Sequence, residues 1–197
     1  MNFLLSLSRA IDAVSKRVGH AVMWLVLAAV LISAGNAIMR KAFNISSNAY
    51  LEIQWYLFSA VFLLGAGYTL LRNEHVRIDA ISHRWSRRTQ VWIDVIGMLL
   101  FLLPLCWWIV SMSWPITIRA YRIGEMSTNA GGLIRWPVYA LMPLGFSLLA
   151  IQVVSELIKR IAFLKGLAPD PAITAKEKTA EELLLEEMRK QDEERAR

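Results

Sequence analysis

The residues of this chain best suited to bind a metal or a haem are its three histidines and its one cysteine. Haem binding between membrane helices needs histidines that face one another, but His20 alone lies beside an apolar segment, whereas His75 and His83 lie in a charged one. Cys106 has no second cysteine to pair with, and no histidine, cysteine or carboxylate set has the spacing of a zinc site. The sequence therefore predicts no cofactor and no metal.

Patterns typical of catalysis or of nucleic-acid binding are also lacking. Serine, histidine and aspartate are present, but no spacing places them together as a nucleophilic site requires. Lysines and arginines are scattered over short segments instead of being concentrated on one soluble module, which argues against nucleic-acid binding. We expect a protein that is not an enzyme.

Charged residues at the edges of apolar segments are more informative. Glu52 opens one such segment, and Arg72, His75 and Asp79 follow its end at spacings that put them on one face of a continuing helix. These groups can pair within the chain, or they can fasten a second membrane protein through ion pairs at the membrane edge. Asp94 leaves the same two interpretations open, together with that of a proton or sodium relay.

Four long segments without any charged residue must position these groups. Each approaches the roughly 20 residues that a helix needs to cross a hydrocarbon core of about 30 Å. Hydrophobic residues make up 56% of the chain, more than soluble domains contain. We therefore predict an all-α integral membrane protein whose four spans lie at about residues 18–39, 50–71, 91–114 and 136–157. Pro104 interrupts the third span and predicts a kink there.

The segments outside the spans differ in character. Residues 1–17 have apolar side chains at helical spacing and are predicted to form a separate amphipathic helix at the membrane surface, a cleaved signal peptide being the alternative. Residues 72–90 are rich in arginine and predict a second surface helix. Residues 115–135 contain turn formers and predict a structured loop. The membrane domain is thus expected over 18–165, followed by a charged helical or disordered tail over 166–197.

The basic residues beside the spans are distributed unequally. One side holds eleven, namely Arg9, Lys16, Arg17, Arg72, Arg77, Arg84, Arg87, Arg88, Lys159, Arg160 and Lys165. The other side holds five, namely Arg40, Lys41, Arg119, Arg122 and Arg135. Because positively charged loops stay inside, both termini are predicted to be cytoplasmic.

Three adjoining motifs resemble the small permease subunit of TRAP transporters, the DctQ-like family. They are Glu52-Ile53-Gln54-Trp55-Tyr56-Leu57, Leu64-Gly65-Ala66-Gly67 and Arg72-Asn73-Glu74-His75-Val76-Arg77-Ile78-Asp79. The H-V-x-I-D element is the most specific part, and the four-span layout agrees over the whole length. The long charged tail departs from the shortest family members.

The resemblance implies a tripartite system in the bacterial inner membrane. In it, a periplasmic substrate-binding protein delivers an organic acid, with carboxylates as the implied class, to a large membrane subunit that carries the sodium and substrate sites. The small subunit resembles a scaffold that packs against the static part of the large one, within the membrane lipids. Residues expected to face the large subunit are Glu52, Arg72, His75 and Asp79, and those expected to dock the binding protein are Arg119, Arg122 and Arg135.

Two other hypotheses remain. The first is a small exporter that works alone as a homodimer, although the charge-free first span lacks the membrane-embedded glutamate that would favour it. The second is a membrane-anchored redox subunit, for which a haem absorption band in the purified protein is the test.

Overall fold

The computed structural model describes residues 2–44, 47–72, 85–170 and Met188. Within these ranges the chain forms five α-helices: α1 (Asn2–Phe43), α2 (Asn48–Leu71), α3 (Arg87–Gly97), α4 (Leu103–Ile123) and α5 (Trp136–Leu164). A π-helical turn, Met98–Leu102, joins α3 to α4 without a loop. The result is four helical rods long and apolar enough to cross a membrane, so the predicted all-α membrane protein with four spans is confirmed.

The first helix is longer than predicted. Residues 1–17 were expected to form an element separate from the first span, but α1 runs without a break from Asn2 to Phe43. Packing against α5 extends into this segment, where Ser8 and Ser15 are buried and bonded to Ser155 and Gln152. Residues 2–17 are therefore part of the first rod, although Arg9 and Lys16 remain exposed.

The interruption predicted at Pro104 takes the form of the π-helical turn. Proline has no amide hydrogen, and its ring excludes the carbonyl four residues earlier, so a regular helix cannot pass through it unchanged. Here the helix widens just before Pro104, and the Leu103 amide donates to the Met98 carbonyl, five residues back. The turn lets one continuous rod contain a proline.

The expectation of a loop from residue 115 is wrong at its start. Helix α4 continues through Pro115 and ends only at Gly124, whose φ of 62° is the left-handed conformation common after a helix. On either side of the proline, Ser113 donates to the Ile109 carbonyl at 2.6 Å and Thr117 donates to the Ser113 carbonyl at 3.0 Å. The missing amide of Pro115 therefore does not end the helix. The loop is therefore restricted to residues 124–135.

Helix α5 lies at the centre of the packing and contacts every other helix. Its buried residues are Pro143, Gly145, Leu149, Gln152, Val153, Ser155, Glu156, Arg160 and Ala162. At Gly145 the backbones of α5 and α2 nearly touch, since a Cβ there would lie 2.6 Å from the Leu63 carbonyl oxygen. A small apolar core forms where α5 meets α2, the π-helical turn and α4, through Leu70, Met98, Cys106, Leu149 and Val153.

The outer surfaces of the rods are strongly apolar. Large side chains such as Trp55, Phe62 and Trp107 have more than three quarters of their surface exposed. In water such exposure would be unfavourable, whereas in a bilayer these side chains meet lipid or another membrane protein.

Candidate functional sites

The loop between α4 and α5 is a compact hairpin over residues 124–135, called here the loop hairpin. A single antiparallel bridge pairs Met126 with Ile134. Its backbone hydrogen bonds run from Ser127 N to Leu133 O (2.9 Å), from Arg135 N to Glu125 O (2.9 Å) and from Gly132 N to Asn129 O (3.0 Å). These bonds close a turn at residues 129–132 in which Gly131 has a φ of 69°. Backbone hydrogen bonds thus order both arms of the loop and the turn between them.

The Glu52 carboxylate binds this hairpin from the side, at three points. Oε1 accepts hydrogen bonds from the Ser127 hydroxyl and from Asn129 Nδ2, the latter at 2.8 Å. Oε2 accepts from the Leu133 backbone amide at 2.7 Å. Donors from both arms of the hairpin and from its turn therefore converge on one carboxylate. Hydrogen bonds to an ionised acceptor are stronger than those between neutral groups.

Two neighbours of Glu52 on α2 also bind the loop hairpin. Asn48 Nδ2 donates to the Ala130 carbonyl at 3.0 Å, and the Tyr56 hydroxyl donates to the Ile134 carbonyl at 2.9 Å. Asn48, Glu52 and Tyr56 are four residues apart, so they lie on one face of the helix. We call these three residues the α2 polar face.

The predicted docking arginines differ in their surroundings. Arg119 and Arg122 lie exposed on the last turns of α4, beside a groove of about 380 Å³ that Trp114 and Ile118 help to line. In the part of the chain that the structure covers, neither forms an ion pair. Arg135 instead lies 3.7 Å from Glu125 and 3.4 Å from the Tyr139 hydroxyl. That hydroxyl raises the pKa of Arg135, which keeps the guanidinium charged.

The residues expected to face a partner subunit are divided between two places. Arg72 follows the end of α2, with its guanidinium 5.6 Å from the centre of the Tyr68 ring. Glu52 lies in the first turns of the same helix, about 30 Å away at the usual helical rise. His75 and Asp79 lie outside the described residues, as does most of the predicted arginine-rich helix. Contact of Glu52, Arg72, His75 and Asp79 with a partner therefore stays a prediction.

A second polar site, which the sequence analysis missed, lies at the opposite end of the protein from the loop hairpin. It consists of Ser8, Asp12 and Ser15 on α1, Gln152, Ser155, Glu156, Lys159 and Arg160 on α5, and Asp94 on α3. We call this set the polar seam. Gln152, Glu156 and Arg160 are almost fully buried.

Hydrogen bonds connect the polar seam from α1 to α5. Ser15 donates to Gln152 Oε1 at 2.6 Å, and Gln152 Nε2 donates to Asp12 at 3.0 Å. The same aspartate accepts from Ser155 at 2.7 Å and pairs with Lys159 at 3.1 Å. The side chains thus satisfy one another, as buried polar groups must.

The acidic groups of the seam are matched by cations on α5. Glu156 forms ion pairs with both Lys159 and Arg160, and Arg160 also lies 3.3 Å from Asp94. Asp94, left open by the sequence, is thus an ion-pair partner of α5. Among the described residues, no three histidine, cysteine or carboxylate side chains are grouped so that they could hold a metal ion.

A periodic signal for the polar seam is present in the sequence. Gln152, Ser155, Glu156 and Lys159 follow the spacing of a single helix face, as do the seam residues of α1. Glu156 was predicted to lie at the end of a charge-free span and Lys159 beyond that span, so a polar face that continues across this boundary was not predicted.

The family model described as "Tripartite ATP-independent periplasmic transporters, DctQ component" matches residues 29–163. No curated protein and no solved structure matches the chain. The matched range includes the α2 polar face, the loop hairpin and all of the α5 part of the polar seam, but it begins after the seam residues of α1.

Proposed function

The chain belongs to the DctQ family of TRAP transporter components, and from this premise we propose that it is the scaffold subunit of a sodium-coupled importer of an organic acid. The family is a transporter component and not an enzyme family, and its members work with a large membrane subunit and a binding protein. Carboxylates are the proposed substrate class, delivered by a periplasmic binding protein.

One observation supports the scaffold role above all: the buried side chains of the polar seam are bonded to one another. In the polar seam, the Lys159 ammonium lies between the carboxylates of Asp12 and Glu156 and occupies the position that an external cation would need. The groove beside Arg119 and Arg122, and a second groove lined in part by Leu103, Trp107 and Trp108, are open surface features whose linings are mainly apolar. A protein built in this way is suited to support a moving partner and not to carry the solute itself.

The partner contacts are proposed at the two ends of the rods. Arg72, together with His75 and Asp79, is proposed to face the large subunit at the end near the chain termini. Glu52 was expected to do the same, but its three hydrogen bonds to the loop hairpin favour an indirect role through that hairpin. Arg119 and Arg122 are proposed to attract the binding protein, since both are exposed and unengaged within the described ranges. Arg135 contributes charge beside them.

We propose that the protein is a multi-pass component of the bacterial inner membrane with both termini in the cytoplasm. The excess of basic residues on that side supports this orientation. The loop hairpin then faces the periplasm, where the binding protein is.

Reconstitution in liposomes tests the proposal. The large subunit that copurifies with the chain is reconstituted with and without it, and uptake of radiolabelled dicarboxylates is measured with the copurified binding protein under an inward sodium gradient. We expect uptake only when both membrane subunits, the binding protein and the gradient are present. Uptake by the chain alone, or equal uptake by the large subunit without it, would contradict the scaffold role.

A further inference from the structure

We propose that Glu52 is a positioning residue that holds the loop hairpin in the shape that the binding protein docks against. The inference rests on the proposed function, because it presumes that a binding protein docks at this end. It assigns Glu52 a role through the hairpin, without direct contact with the partner.

The convergence of donors on Glu52 carries the first step. Both carboxylate oxygens are engaged, by the Ser127 hydroxyl and Asn129 Nδ2 on one side and by the Leu133 amide on the other. These donors are 75 to 81 residues away in the sequence, so they do not belong to the helix that carries Glu52. A carboxylate with this many partners outside its own helix fixes the position of those partners.

The second step comes from Gly132. A Cβ at this position would lie 2.9 Å from Glu52 Oε1 and 2.5 Å from the Ser127 Cβ. The space that a side chain would fill is therefore taken by the Glu52 carboxylate and Ser127. The φ of Gly132 is not in the left-handed region, so close approach and not backbone conformation accounts for the glycine.

The third step concerns the binding free energy that is lost when a disordered loop must become ordered at a docking surface. A loop that must be ordered when a partner arrives weakens binding, whereas a loop held in its bound shape does not. The hairpin presents exposed Met126 and Ile134 beside the arginines of α4, and the α2 polar face keeps this arrangement together. Loss of the Glu52 carboxylate is therefore expected to weaken docking without changing the helices.

The experiment compares two variants with two matched controls in the reconstituted complex. Glu52→Gln keeps the size of the side chain but places an NH2 group against hydrogen-bond donors. Gly132→Ala displaces the same carboxylate from the opposite side. Gln54→Ala removes a polar side chain of α2 whose described bond is to Ser33, and Gly97→Ala adds a methyl group where no atom lies within 4 Å.

Two measurements are made on each variant. Hydrogen–deuterium exchange of residues 127–133 reports order in the hairpin, and uptake titrated with the copurified binding protein reports docking. We expect faster exchange in E52Q and G132A, with the half-saturating concentration of binding protein raised about tenfold and maximal uptake unchanged. Both controls should match the wild type in both measurements.

Each other outcome has a definite meaning. Unchanged exchange in E52Q would overturn the role of Glu52 in ordering the hairpin. Faster exchange with an unchanged half-saturating concentration would overturn the link between the hairpin and docking. A wild-type complex whose uptake does not depend on a binding protein would contradict the proposed function itself, while the exchange measurement would still decide whether Glu52 orders the loop.

Discussion

The Lys159 ammonium lies 3.1 Å from Oδ2 and 3.3 Å from Oδ1 of Asp12, which places an ion pair between α5 and α1. The side chains are 22% and 19% exposed, so water reaches only a small part of the pair. Glu156 binds the same ammonium, and Ser155 and Gln152 bind the same aspartate. The pair is therefore the centre of the polar seam.

Replacing Asp12 should destabilise the protein strongly. Asp12→Ala leaves Lys159 and the Gln152 side-chain amide without an acceptor on α1, and breaking one side of a buried pair costs about 3 kcal/mol. Thermal unfolding in detergent measures the effect, and Lys16→Ala, an exposed change on the same helix, is the control. Equal melting temperatures for the two variants would show that the seam contributes little to stability.

A methyl group at Gly145 should separate α2 from α5. Its Cβ would lie 2.6 Å from the Leu63 carbonyl oxygen, so Gly145→Ala forces a backbone to move, at about 2 kcal/mol for overpacking. Gly35→Ala is the matched control, because no atom lies within 4 Å of a Cβ at that position. The prediction fails if the two variants unfold at the same temperature.

Reversing the charges on α4 should impair docking of the binding protein. In Arg119→Glu with Arg122→Glu, steering of an acidic partner is lost, and the half-saturating concentration of binding protein should rise about tenfold at low salt and less at high salt. Uptake by the reconstituted complex measures this effect. Arg17→Glu, an exposed change at the opposite end, should leave the concentration unchanged. A salt-independent effect would indicate misfolding and not loss of steering.

Cysteine labelling should show on which side of the membrane the loop hairpin and the termini lie. Cys106 is fully buried, so the wild-type protein should react little with a membrane-impermeant maleimide. Thr128→Cys, in the exposed turn of the loop hairpin, should be labelled from the periplasm of intact cells, whereas Lys165→Cys should react only after the cells are opened. The reverse pattern would place the termini outside.

The spans could be predicted from sequence because each membrane-spanning segment must itself be nearly free of charged residues, whatever it packs against. The continuation of α4 through Pro115 could not be predicted in that way, since proline usually ends a helix and here does not. Likewise, the burial of Ser8 and Ser15 could not be predicted from α1 alone, because their hydrogen-bond partners lie on α5.

The role of Glu52 could not be predicted from sequence either, because it too depends on residues that are distant along the chain. Its position at the start of a span marked it as functional, but its partners follow more than 70 residues later. The four-residue spacing of Asn48, Glu52 and Tyr56 indicates a polar face without saying what that face binds. Most of the charged tail, and both His75 and Asp79, lie outside the described ranges, so what was expected of them remains a prediction.

The α1 and α5 residues of the polar seam are synthesised at different times, because they are far apart in the sequence. Ser15 leaves the ribosome 137 residues before Gln152, and Asp12 leaves it 147 residues before Lys159. Through most of translation, Asp12 is therefore present without the Lys159 ammonium that pairs with it in the folded protein. Only synthesis of α5 supplies this partner, so a nascent chain arrested before α5 cannot form the ion pair.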